Sequence, residues 1–348
     1  MKRFTLILSL FITLGSCSRE GFNSKHSSGT SPPESVSLGM AITPRNFPAH
    51  STADVDEAFM LARQLADFSV CIYQWGNLDL TVARMMTMKS RQAGLHSILG
   101  LSPTTLDQSR KELDLPPKVR RRAGNKISFA NPVIRKAYID TVKQLAHLHP
   151  AYLCLATEIN FLALQRLEEY LHFATLYKEA YREAKRISPE TRVFVSFQWE
   201  WMRIVDAKEP QKIKEHSKVI DIFRPQLDVV GLTSYPSPFQ ATPAELPHDY
   251  YTWLSRHIRK SDEVLVMELG WPSRRSGSEL EQQNFISRLP DLFSQTNVSV
   301  IAWALLHDVN LDVFDANLNS VGLIKNTGQK KRGFNEFKAL KHSFRSPQ

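Results

Sequence analysis

Three cysteines in 348 residues are too few for a disulfide scaffold, and no His or Cys cluster has the spacing of metal ligands. Cys71 and Cys154 lie in apolar runs and read as buried thiols. The sequence also lacks a Gly-x-Gly-x-x-Gly turn. Gly39-Met-Ala-Ile, at the end of the first strand, lacks the glycines a pyrophosphate needs, so no dinucleotide is expected. No apolar run approaches the length of a membrane span. No base-reading motif or basic recognition helix accompanies the formal charge of +9, so nucleic acid is not an expected partner. An anionic surface or polymer suits that charge better. Neither a metal nor a cofactor is called for.

What is present begins with residues 1–17, MKRFTLILSLFITLGSC, which have a basic start and an apolar run from Phe4 to Leu14. This pattern reads as a signal peptide. Its end, Leu14-Gly-Ser-Cys17, resembles a bacterial lipobox. The resemblance implies that Cys17 becomes the lipidated N-terminus, anchoring the protein to the membrane at the periplasmic or surface face of the cell envelope. Ordinary secretion is the alternative. Residues 18–35 are rich in Ser, Gly and Pro and read as a flexible tether. The domain is expected over 36–342, with 343–348 frayed and the protein monomeric.

Between those limits strand and helix signals alternate. Apolar runs fall at Val36–Met40, Phe68–Tyr73, Leu95–Gly100, Tyr152–Thr157, Val193–Phe197, Val229–Leu232, Val264–Met267 and Val298–Trp303. Helices are predicted over 52–66, 80–93, 132–147, 164–186, 243–259, 278–293 and 334–342, with Ser51, Asn131-Pro132 and Ser278-Glu-Leu-Glu281 as starts. Eight strands, each followed by a long crossover, predict a parallel sheet closed into a (β/α)8 TIM barrel.

Two strands end alike. Tyr152-Leu-Cys-Leu-Ala-Thr-Glu158-Ile-Asn160 and Val264-Leu-Val-Met-Glu268-Leu-Gly-Trp-Pro-Ser273 each deliver one acid at the C-terminal end of an apolar run. Barrels carry their chemistry at that end. Strand alternation puts Cys154, Ala156 and Glu158 inward, and likewise Val264, Val266 and Glu268. Leu265 and Met267 then face the helices. Glycoside hydrolysis needs two such carboxylates, one to protonate the leaving oxygen and one to attack or to activate water. A structural ion pair of each Glu with Arg or Lys is the plainer reading. Five of the six Trp (Trp75, Trp199, Trp201, Trp271 and Trp303) also fall at strand ends, as do Tyr73 and Tyr235. Rings gathered there suit either stacking on sugars or plugging the barrel. Trp253 falls within a predicted helix and reads as packing.

The two acid segments together resemble the retaining clan A glycoside hydrolases. Glu268-Leu-Gly-Trp-Pro-Ser273 is similar to the nucleophile segment of plant-type β-1,3-glucanases, and the overall plan resembles the arabinogalactan endo-β-1,4-galactanases. The resemblance implies Glu158 as acid/base, Glu268 as nucleophile, Tyr235 as a hydrogen-bond donor to it, and Trp303 as the floor of the reacting subsite. The substrate would be a β-linked polysaccharide or oligosaccharide, with Glu158 protonated and Glu268 ionised. In the clan an Asn that contacts the sugar 2-hydroxyl precedes the acid/base. Here Thr157 stands there, with Asn160 the nearest amide, and a hydroxyl reaches less far.

That departure keeps a second function open, a glycan-binding lipoprotein without catalysis. A barrel enzyme of other chemistry lacks a metal cluster or a strand-end Lys. His96 on the third strand is a candidate for the cleft or for the core. Glu200, between Trp199 and Trp201, is expected to point away from the ligand, and His307 is a further candidate. Asp308, Asp312 and Asp315 read as solvated loop acids. Lys118-Val-Arg-Arg-Arg122 with Lys126 forms a basic run in the long loop after the third strand. It reads as a solvated loop or as an anion-attracting rim.

Overall fold

The computed structural model describes residues 36–107, 109–208, 219–237, 240, 242–252, 254 and 258–344. The leader, Cys17, the tether, Trp253 and residues 345–348 lie outside them. No helix among the described residues is long and apolar enough to cross a membrane.

The strands are β1 Ser37–Ala41, β2 Phe68–Gln74, β3 His96–Ser102, β4 Tyr152–Cys154, β5 Arg192–Phe194, β6 Ser196–Gln198, β7 Val230–Ser234, β8 Val264–Leu269 and β9 Val298–Trp303. All pair in parallel, in the order β5-β4-β3-β2-β1-β9-β8-β7-β6. The expected fifth strand is thus two short ones interrupted at Val195. β5 pairs with β4 and β6 with β7, while the Val195 carbonyl accepts from Gly231. The chain through Val195 closes the sheet into a barrel of eight positions. Gly231 is required at this seam, because a Cβ there would lie 2.5 Å from the Phe194 ring and 2.7 Å from the Val195 oxygen.

The helices are α1 Thr52–Leu65, α2 Leu80–Gln92, α3 Pro117–Ala123, α4 Pro132–Ala146, α5 Asn160–Gln165, α6 Leu167–Ile187, α7 Trp199–Lys208, α8 Glu279–Ser287, α9 Leu289–Phe293 and α10 Arg332–Ser343. Their starts follow local chemistry. Ser51 and Asp54 form a capping box on α1, and Asn131 caps α4 ahead of Pro132. Ser278 accepts from the Glu281 amide at α8. The helix predicted over 243–259 is a difference. Pro243–Glu245 makes a single 3-10 turn, and only turns, bends and further 3-10 residues at Thr252 and Leu254 follow among the described residues up to 259, with Pro247 denying an amide to any continuing helix. The last helix runs through Ser343, and Phe344 packs on the core.

Strict alternation also fails on β8. The register with β9 shifts between Val266 and Leu269, and with β7 between Leu232 and Thr233. Such irregularities let neighbouring residues share a face. Met267 accordingly points inward rather than at the helices, its methyl lying 2.5 Å from where a Gly100 Cβ would stand.

The loops after β8 and β9 are joined by one buried cation. Lys331 donates to Asp308 (2.5 Å), Ser273 (2.7 Å) and the carbonyls of Ser320 (3.0 Å) and Gly322 (2.7 Å). Asp308 is therefore a buried partner, not a solvated loop acid. Burial pulls Lys331 down to about 8 and raises Asp308, so desolvation outweighs attraction on both sides of the pair. Lys331→Met should cost ~3–5 kcal/mol in denaturant unfolding by stranding Asp308. Adding Asp308→Leu should restore part of that loss. A single variant as stable as the native protein would refute this account.

Candidate active site

Glu158 follows β4, where the strand has already ended at Cys154. Its φ is 51°, a left-handed conformation that costs a non-glycine residue ~1–3 kcal/mol and persists only when its surroundings enforce it. They do so from β6. The Glu158 amide donates to Ser196 Oγ (3.1 Å), the Ile159 amide to the Ser196 carbonyl (3.0 Å), and the Ser196 amide to Ala156 (2.9 Å). The residue is 8% exposed. Thr233 Oγ1 at the end of β7 donates to one oxygen at 2.8 Å, and Arg110 Nε donates to the other at 2.5 Å.

Glu268, near the end of β8, accepts from the Tyr235 hydroxyl at 2.7 Å. Its pKa is pushed up to about 7, first by burial and then by the charge on Glu158, against the opposing pull of Tyr235 and Arg110. The two acids thus share one crevice. The expected ionised Glu268 is instead held toward its neutral form by burial and by the neighbouring carboxylate, while Glu158 faces the Arg110 guanidinium.

Tyr235 is itself held from below by Glu200. That carboxylate accepts from Gln198 (2.6 Å), Ser234 (2.5 Å), Tyr250 (3.0 Å) and the Tyr235 amide (3.1 Å). Burial raises its pKa despite these four donors. Gly270 leaves room for the ring, since a Cβ there would stand 2.9 Å from Tyr235 Cε1.

The tryptophans part company with the expectation. Trp303 is 0% exposed, its Nε1 donates to the Val321 carbonyl at 2.7 Å, and its ring meets Phe285 of α8 and Phe337 of α10. It cannot floor a subsite. Trp271 is covered against Phe285, and Trp199 stacks on Tyr251. Trp75 packs on Tyr138, its Nε1 donating to Thr141. These four rings are buried against side chains of the surrounding helices and turns. Of the five, Trp201 alone is open, at 41% exposure, edge-on to Phe161.

Three other candidates are also placed elsewhere. His96 begins β3, at the barrel end opposite the acids, beside Phe68. Asn160 is spent on the backbone of Gln198, accepting from its amide and donating to its carbonyl. His307 is buried with Nδ1 on the Thr43 carbonyl, and burial lowers its pKa. Thr157 is buried beside Glu158, and its hydroxyl makes no hydrogen bond among the described residues. Sequence reasoning missed Arg110 and Thr233. Arg110 follows an Asp107 turn, with Asp107 accepting from the amides of Ser109 (2.8 Å) and Arg110 (3.0 Å), a pattern that flags a structured loop. No cluster of three or more His, Cys, Asp or Glu among the described residues is arranged to hold a metal.

Comparison with known proteins supplies the fold's relatives. No protein-family model matches the chain, and the curated proteins give no match at the level of sequence. Solved structures do match. A GH5_18 protein from Streptomyces cattleya in complex with Manβ1-4GlcNAc aligns at TM-score 0.69 and 15% identity, over 90% of this chain and 82% of that one. The exo-β-1,4-mannosidase Op5Man5 from an Opitutaceae bacterium aligns at 0.65 and 14%, over 90% of this chain and 61% of that one. Xylanase 10B of Thermotoga maritima aligns at 0.61 and 13%, over 89% and 95%. The chain has the TIM-barrel fold of these glycoside hydrolases. It spans about three fifths of the mannosidase.

The raised pKa of Glu268 has a stability consequence. Below the usual value of 4.5 both folded and unfolded chains hold this proton, and burial costs nothing extra. Between there and about 7 only the folded chain holds it, so stability falls as pH rises. Above that window the full cost applies, on the order of 3 kcal/mol. Glu268→Gln should therefore melt higher than the native protein at pH 8 and alike at pH 4. Equal melting at both would mean Glu268 is not held neutral.

Proposed function

We propose that this chain is a retaining glycoside hydrolase acting on a β-linked polysaccharide or oligosaccharide. The observation that carries the reading is the pair of electrostatically coupled carboxylates, Glu158 and Glu268, at the mouth of one barrel and in opposite surroundings. The β-linked sugars named for the structural neighbours support the substrate class.

In this mechanism Glu268 attacks the anomeric carbon, held in line by Tyr235, while Glu158 protonates the leaving oxygen. In the second half-reaction Glu158 takes a proton from water, which displaces Glu268 from the sugar. No cofactor enters. The Thr157 hydroxyl is buried beside Glu158 and closed to substrate, and Trp201 is the ring available for stacking. The chain acts as a monomer in this reading. It is tethered through lipid on Cys17 to the cell envelope, a proposal supported by residues 1–17. Cys17→Ser should then move the protein from the membrane fraction to the soluble one, and an unchanged distribution would remove the anchor.

One observation favours a second reading. Arg110 locks Glu158 in the resting structure, as a sugar-binding protein without catalysis would allow. Kinetics separates the two. Glu268→Ala should abolish turnover, and added azide should restore a glycosyl azide of inverted anomeric configuration. Glu158→Ala should slow substrates with poor leaving groups by about 10²–10⁴-fold, and activated aryl glycosides far less. Rate against leaving-group pKa, with product anomers by NMR, is the measurement. A flat dependence together with normal activity in the Glu268 variant would leave glycan binding without hydrolysis.

A further inference from the structure

Arg110 is the feature that the two-carboxylate mechanism leaves unused and, as it stands, obstructs. Glu158 must carry a proton to act as an acid, yet it is paired to a guanidinium. The pair is nearly closed to solvent, at 12% and 11% side-chain exposure. Arg110 spends Nε on Glu158 and sets Nη1 at 3.4 Å from Ser102 Oγ, while Nη2 makes no hydrogen bond among the described residues. Half of its fork is uncommitted, in the crevice of both acids.

Arg110 belongs to the loop between β3 and α4, which forms the rim of that crevice. The loop is tied to the start of α6 by Arg166, whose Nη1 donates to the Lys111 carbonyl at 3.1 Å, and by Gln165 at the end of α5, which donates to Ser109. Beyond Arg110, Lys111 in this loop, Lys118, Arg121 and Arg122 on α3 and Lys126 after it are exposed and make no ion pair among the described residues. Uncompensated cations on a rim attract anions, and a planar fork binds a carboxylate through two parallel bonds.

We infer that the substrate is an anionic glycan, and that a sugar carboxylate at the reacting subsite takes the Arg110 guanidinium from Glu158. The inference rests on the hydrolase reading and names its substrate class. Its charge balance is complete within the crevice. The proposed starting state pairs an ionised Glu158 with Arg110 and places the crevice's one proton on Glu268, beside Tyr235. When the sugar carboxylate claims Arg110, Glu158 is left as a buried charge without a counterion. The proton on Glu268 then passes to Glu158, with no net uptake. Glu158 becomes the acid and Glu268 the anionic nucleophile, still hydrogen-bonded to Tyr235. The groups facing the pair are Arg110 from the segment after β3, Thr233 of β7, Tyr235 just after it, and each carboxylate for the other. A neutral sugar offers Arg110 nothing and leaves Glu158 locked.

The test uses length-matched oligosaccharides that differ only in the C6 carboxylate, β-1,4-mannuronan against β-1,4-mannan and β-1,4-glucuronan against cello-oligosaccharides. The native protein should cleave the acidic member with kcat/KM greater by about 10–100-fold, the scale of a charge-assisted bidentate contact. Arg110→Gln should bring that ratio to about one, losing rate on the acidic member and gaining it on the neutral one, a split that a merely structural role would not produce. Arg110→Lys should retain part of the preference, and melting curves establish that both variants fold. Arg121→Glu with Arg122→Glu, both exposed, should raise KM for long acidic oligomers in a salt-dependent way. Cleavage without acid preference, or a ratio unchanged by Arg110→Gln, overturns this proposal and leaves the hydrolase standing. Acid-selective binding without cleavage of any member ends the hydrolase reading and the proton shift with it. Equal binding of a DNA oligonucleotide of matched charge makes the rim a general anion surface and overturns the assignment to sugars.

Discussion

A carboxylate leaves water only if something replaces its hydration, and the mouth of this barrel removes three of them. Each is handled differently. Glu200 is surrounded by four neutral donors, Glu158 by a guanidinium and a hydroxyl, and Glu268 by one phenol. Only Glu158 has a counter-charge, and burial still raises the pKa of Glu200 despite its four donors. Glu200 anchors the Tyr235 backbone, Tyr235 steadies Glu268, and Glu268, with the fewest donors, has its pKa pushed up to about 7. The site is in this sense a chain of unequal solutions to one desolvation problem.

The geometry depends on interruptions of regular structure. β4 stops three residues before Thr157, which lets Glu158 adopt a left-handed conformation pinned from β6. β6 exists as a separate strand because the sheet seam passes through Val195. β8 loses its register just before Glu268. Each irregularity costs backbone order that a plain barrel would keep, and each re-aims one acid. That the costs concentrate around the same two side chains is difficult to explain as packing, since packing would be served by regular strands.

Much of the barrel was legible in the sequence because its cause is local. Apolar runs of strand length, capped helices and crossover spacing recur along the chain, and the two acids stand out as charges at the ends of such runs. What failed was reasoning about direction. Trp303 and Trp271 were placed in the cleft from their position at strand ends, although a ring as apolar as indole is equally served by the space between strand and helix. Phe285 and Phe337, residues far along the chain, decide which space it takes. Arg110 was invisible for the same reason. Nothing in a loop sequence says which of several arginines folds back, and here a turn built on Asp107 selects one.

The pairing of Arg110 with Glu158 also bears on why Thr157 is tolerated beside the acid. An amide there would bring two donors to a region where the guanidinium and Thr233 already supply both carboxylate oxygens. A buried hydroxyl brings one, and it is the smaller group to leave without a partner. Thr157 and Arg110 are compatible in this respect, the buried hydroxyl leaving both carboxylate oxygens to the guanidinium and Thr233. A crevice organised in this way spends its strongest donor on charge rather than on a hydroxyl. It would discriminate among sugars by the anion they carry before it discriminates by the configuration of their rings.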